Sequence, residues 1–90
     1  MVWNVGGFIM LEKLPKDKVA VGAKQVLKAI EAGRAHRVYA AIDAEGFVNR
    51  RVLALCREKN LPVIDSYTMK QLGEACQIEV GAACCCLLRD

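Results

Sequence analysis

The chain is short of the parts from which metal centres and catalytic sites are made. His36 is its only histidine, and no Cys-x-x-C pair occurs. A structural zinc site, which needs four Cys or His ligands at recognisable spacings, therefore has no ligand set. Gly22 is not followed by Gly-Lys-Ser/Thr, and there is no G-x-G-x-x-G, so the usual phosphate-cradling loops of nucleotide enzymes are missing. His36 lies in GRAHRV, read as a basic loop after a helix, with no partner for general-base work, and no activated nucleophile stands out. Asp43 and Glu45 form a carboxylate pair in sequence, but acids after a strand commonly begin a turn or cap a helix. Long apolar runs are absent too. A membrane span needs about 20 apolar residues and a signal peptide needs a basic leading segment, and MVWNVGGFI meets neither requirement. Nor is there an internal repeat, a low-complexity segment or a linker.

What is present suits one small globular domain. Ninety residues hold a single core and not two. The chain is 54% hydrophobic and 26% charged, which is not the composition of a disordered chain. Its net charge of +3 allows a nucleic-acid partner without requiring one, so the placement of charge matters more than its sum. Five cysteines are an odd number for a disulfide framework. Three of them, Cys84, Cys85 and Cys86, are consecutive, and neighbours in a strand point to opposite faces. They read as small, buried, reduced side chains of a cytoplasmic protein. Met10 precedes the charged stretch LEKLPK, so translation is expected to start there. Residues 1–9 are then a disordered or mis-assigned extension, and residues 10–90 form the domain.

Along that domain the pattern alternates. LEKLPKDK gives a helical turn or two around Pro15, and KVAVG a short strand ended by Gly22. Ala23, Val26, Leu27 and Ile30 then make the apolar stripe of a helix closed by Gly33. VYAAID, residues 38–43, is expected as a strand covered on both faces. Residues 46–59 form a helix with Val48, Val52, Leu55 and Cys56 on one side and Arg50, Arg51 and Arg57 away from it. PVID is a short strand. Thr68 caps a third helix, with Gln71 as its capping-box partner, and that helix runs to about Cys76. VGAACCCLL supplies a last, interior strand. This alternation implies an α/β/α sandwich with a mixed central sheet.

The corner GAKQVLK gathers donors and positive charge where a helix begins. A helix amino end leaves N–H groups free and carries partial positive charge, which favours a phosphate. Lys24 and Lys28 are four residues apart and share a face, with Gln25 beside Lys28. Lysine donates to guanine O6 and N7, and a glutamine amide offers a donor and an acceptor to a base edge. An ordinary solvated helix face explains the same residues, and both readings stay open on these residues alone.

VGAKQVLKAIEAG, VYAAIDAE and MKQLGEACQIEVGAA together resemble the kink-turn RNA-binding family typified by the archaeal ribosomal large-subunit protein seven-Ae. The bacterial ribosomal-protein-like branch is the most similar. The resemblance spans residues 11–88 and is most specific at LGEACQIEVGAA. It implies a non-catalytic, cofactor-free protein that binds kink-turn RNA, ribosomal or riboswitch-like, with the ribosome as a further partner and neither DNA nor membrane. Gly22, Lys24, Gln25 and Lys28 would meet tandem G·A pairs in the widened major groove. Ile78, Glu79 and Val80 would cradle a flipped-out nucleotide, and Glu45 would play a supporting role. The alternative reading of Ile78 and Val80 is core packing at the start of the last strand. Three departures stand out: Lys24-Gln25 where many relatives have Asn-Glu, Gln77 where glycine is common, and Gly46 in place of a proline. A protein-interaction or thiol/metal module on the same fold is the rival, resting on the cysteine run and the altered loop.

Overall fold

The computed structural model describes residues 13–89, so the expected extension at residues 1–9 and the Met10 start lie outside the described residues. A 3-10 turn, Lys16–Lys18, leads into strand β1, Val19–Val21. Helix α1, Ala23–Glu31, strand β2, Ala35–Ala40, and helix α2, Gly46–Lys59, follow. Strand β3, Val63–Ile64, helix α3, Met69–Ala75, and strand β4, Cys84–Leu88, complete the chain. The four strands make one mixed sheet in the order β1-β4-β2-β3, with β4 antiparallel to both its neighbours and β3 parallel to β2. β4 is therefore interior, as its small side chains suggest.

The cysteine run shows why this is a three-layer sandwich. Cys84 and Cys86 face one side of β4 and pack with Val26, Ala29 and Ile30 of α1 and with Val52 and Cys56 of α2. Cys85 faces the other side, against Leu72, Ala75 and Cys76 around α3 and against Leu14. All five cysteines are free thiols and all are buried. Side chains this small at the sheet centre let a helix layer approach closely on each face.

Three sequence expectations need correction. β2 begins and ends three residues before the expected 38–43 strand, which puts His36 inside a strand and not in a loop. The β2–β4 register shifts between Ala35 and Arg37, the mark of a bulge with one extra residue on β2. The bulge resets the alternation, so Ala35 and Val38 both join the α1/α2 core although three positions apart. β4 starts only at Cys84, leaving residues 80–83 as loop, and β3 is two residues long.

Each helix stops in the same way. Gly33, Asn60 and Gln77 have φ of 72, 58 and 63°. The amides of Arg34, Leu61 and Ile78 reach back to the carbonyls of Ala29, Cys56 and Gly73 at 2.9, 2.9 and 3.0 Å. A left-handed residue followed by this long return bond satisfies carbonyls that the last helical turn leaves free. At the third helix the residue is a glutamine, and its Nε2 donates to Leu14 O at 3.1 Å, tying the loop after α3 to the chain before β1.

Candidate nucleic-acid interface

Strands β1, β2 and β3 all run the same way, since β1 and β2 each oppose β4 and β3 is parallel to β2. Their carboxyl ends, and so the amino ends of α1, α2 and α3, meet along one edge of the sheet. Hydrogen bonds knit that edge. Gly22 N donates to Cys84 O at 2.9 Å, Ala41 N to Ala83 O at 2.8 Å, and Ile42 N to Tyr67 O at 2.9 Å. Asn49 adds a side-chain tie from α2, with Nδ2 donating to the same Ala83 carbonyl at 2.9 Å.

The three helix ends differ in what they leave open. α3 is sealed: Thr68 Oγ1 accepts from Gln71 N at 3.2 Å and Gln71 Oε1 from Thr68 N at 2.8 Å. Asp43 Oδ1 takes a further amide, Met69 N, at 2.8 Å. α1 and α2 begin at Gly22 and Glu45 with no side-chain cap. Their first amides and the positive ends of their dipoles are the free anion-attracting groups of this edge.

Gly22 has φ 92° and ψ 154°, a conformation reserved for glycine, and a Cβ built there would meet nothing within 4 Å. Its glycine is thus required by the backbone, and the space over it is open. Lys24, Gln25 and Lys28 are exposed on α1. Gln25 and Lys28 line a hollow of ≈ 420 Å³ that runs beside β1 to Arg34 and Leu88. Ile78, Glu79 and Val80 line a second hollow of ≈ 360 Å³ together with Asp43, Met69 and Lys70. Val80 is 70% exposed, whereas Ile78 is half-buried and packs on the α3-side core. Core packing therefore describes Ile78 in part and Val80 not at all. Glu45 is exposed at the start of α2 and lines neither hollow.

Sequence reasoning missed four residues that shape this edge. Asp43 was legible as a capping acid, but the helix it caps begins 26 residues later. Asn49 is 4% exposed, and its Oδ1 is buried without a donor among the described residues. Among the described residues, Lys70 supplies the one positive side chain of the second hollow. Gly73 is the least conspicuous: a Cβ there would strike the Val80 carbonyl oxygen. The bare backbone of α3 is what lets loop 78–81 lie against it.

The three thiols of β4 hold their protons more tightly than a free cysteine does. Burial pushes Cys84 up to about 11, with Cys86 and Cys56 adding to the rise, and burial likewise pushes Cys86 up to about 11. Cys85 is raised further, first by its hydrogen bond to Cys76 and then by burial. That same bond favours the Cys76 thiolate against its own burial, so Cys76 is the member of the pair that ionises first. Both thiols are buried in the α3-side core, out of reach of an electrophile in solution.

Residues 10–90 match the family described as ribosomal protein L7Ae/L30e/S12e/Gadd45. A protein of Geobacillus thermodenitrificans named RNA-binding protein is 40% identical over 76 residues, 84% of this chain and 93% of its own length. An RNA-binding protein of Caldanaerobacter subterraneus subsp. tengcongensis is 45% identical over 74 residues, 82% of this chain and 89% of its own. In three dimensions the chain is similar to the Giardia lamblia 15.5kD RNA binding protein, with a TM-score of 0.76, 24% identity, and coverage of 82% of this chain and 62% of that one. On the extent of these matches, the chain belongs to the ribosomal protein L7Ae/L30e/S12e/Gadd45 family.

Proposed function

We propose that this chain is a non-catalytic, cytoplasmic RNA-binding protein that recognises kink-turn-type RNA, ribosomal or riboswitch-like, and stabilises its bent form. Membership of the family and the names of its relatives support RNA as the partner. The observation that carries the finer reading is the Gly22 N–Cys84 O bond of 2.9 Å. It joins the uncapped amino end of α1 to the base of the loop that bears Ile78, Glu79 and Val80.

In this reading the open face of Gly22 admits a ribose-phosphate backbone. The first α1 amides, Lys24 and Lys28 hold phosphates, while Gln25 and Lys28 meet guanine edges. Ile78 and the exposed Val80 offer an apolar surface to an unstacked base, with Glu79 and Lys70 at its polar edges. Glu45 supports the start of α2. Binding draws the population toward the kinked RNA because only that form presents its phosphates and its ejected base together. The five cysteines are accounted for as core, which leaves the thiol-module alternative without a site of its own.

Gel-shift titration tests this reading. A kink-turn RNA should bind more tightly than a plain duplex of equal length, and Lys28→Ala should cost about 1–3 kcal/mol on the kink-turn. Equal affinity for the two RNAs would refute kink recognition.

A further inference from the structure

The side-chain charges lie at the wrong end for an RNA site confined to the helix amino ends. Along that edge the exposed cations Lys24, Lys28 and Lys70 face four exposed acids, Asp43, Glu45, Asp65 and Glu79. The other end of the sheet, reached down β2 in five residue steps of about 3.3 Å, or roughly 17 Å, is basic. There Lys16, Arg34, Arg37, Arg57, Lys59 and Arg89 outnumber Asp17, Glu31 and Glu58.

Part of that excess has an ordinary structural cause. Arg57 and Lys59 stand in the last turn of α2, where cations complement the negative end of the helix dipole. Arg37 and Arg89 belong to the β2 and β4 ends and have no such cause, and Arg34, whose amide closes the carboxyl end of α1, shares it in part. Arg89 N donates to Arg34 O at 2.8 Å, so the two arginines are backbone neighbours on adjacent chain segments. Like charges so placed repel, and none of the three forms an ion pair among the described residues. The bulge at His36 leaves His36 and Arg37 both exposed in succession, thickening the cluster. A local cost that no ion pair among the described residues offsets points to a functional surface.

The pole is also connected to the first site. Arg34 lines the same ≈ 420 Å³ hollow as Gln25 and Lys28, beside Val19, Ala20 and Val21 of β1. We propose that Arg34, Arg37 and Arg89 form a second RNA-backbone site, continuous through this groove with the α1 amino end, that takes the phosphates of a helix leaving the kink. The proposal rests on the RNA reading above. It adds that the kink corner supplies geometry and the pole supplies long-range attraction and grip on the flanking stem.

Two kink-turn RNAs test it, identical at the kink, one with short stems and one with a stem extended by a helical turn. Anisotropy titrations over a range of salt should show the wild type binding the extended RNA about tenfold more tightly, with a salt slope steeper by about 2–3. The combined variant Arg34→Gln, Arg37→Gln, Arg89→Gln should lose that advantage while keeping its affinity for the short RNA. Lysine at the same three positions should retain it, since the contact is to charge and not to a base edge. Circular dichroism verifies that each variant is folded. A wild type indifferent to stem length, or a glutamine variant that keeps the advantage, overturns the proposal and frees the pole for an acidic protein partner. If wild type binds plain duplex as well as kink-turn RNA, and the glutamine variant loses both, kink recognition fails while the pole stands.

Discussion

Gly73 is a glycine inside a helix, where alanine would ordinarily be favoured by about 1 kcal/mol. Here the sign reverses, because the added Cβ would collide with the Val80 carbonyl oxygen, a backbone atom that cannot turn aside. Gly73→Ala should therefore lower stability by about 1–3 kcal/mol in denaturant titrations and weaken kink-turn RNA binding by displacing loop 78–81. A variant that is more stable and binds unchanged would show that the loop has room to move. Gln77 poses the opposite question four positions later. Its φ of 63° costs a non-glycine residue about 1–2 kcal/mol, and its bond to Leu14 O returns about 0.5–1.5 kcal/mol. Gln77→Gly exchanges one for the other and should leave stability nearly unchanged, whereas Gln77→Ala keeps the strain and loses the bond. The glycine variant should be the more stable of the two by about 1 kcal/mol. If alanine equals glycine there, the left-handed backbone is not a strain that the glutamine bears.

Element by element, legibility in the sequence followed the range of the interaction that sets each boundary. α2 could be delimited from residue 46 to residue 59 because its apolar positions recur over 14 residues and both ends are marked locally. The capping box at Thr68 and Gln71 was equally legible, since both halves lie within four residues of each other. α3 has only seven residues and is too short to persist unaided in water, so its stability leans on this cap. Thr68→Ala should cost about 1 kcal/mol, with faster hydrogen exchange at Gln71 and Leu72 as the local sign; exchange unchanged at those amides would mean that Asp43 and packing suffice. β2 was misplaced because the apolar run at residues 38–43 marks burial, whereas strand limits are set by pairing with β4 across 40 or more residues and by a bulge. Asp43 capping α3, and Asn49 reaching Ala83 from the buried side of α2, were hidden for the same reason. The candidate site divided similarly: the α1 corner could be read from its spacing, while Lys70 and Gly73 acquire meaning only when loop 78–81 folds onto α3.

At the scale of the molecule, β4 threads both cores at once, and this makes the whole fold sensitive to alkali. Cys84 and Cys86 sit under α1 and α2, and Cys85 under α3. An exposed thiol in the unfolded chain ionises near its ordinary value of 9.0, whereas Cys84 and Cys86 hold their protons to about 11 when folded. Below pH 9 both states carry neutral thiols and the burial contribution is complete. As pH rises from about 9 toward 11 the unfolded chain sheds protons that the native state keeps, so the unfolded state binds fewer of them and stability falls. Each thiol can contribute up to about 1.4 kcal/mol per pH unit to that fall. Denaturation midpoints should accordingly drop between about pH 9 and pH 11, and they should drop as one cooperative transition because the same strand supports both layers. The informative comparison is with the double variant Cys84→Ala, Cys86→Ala. That double variant should start less stable, having lost two buried sulfurs, yet show a visibly shallower decline. Equal slopes for the two proteins would mean that these thiols surrender their protons without leaving the core. The small side chains of β4 would then be set only by how closely α1, α2 and α3 must approach the sheet.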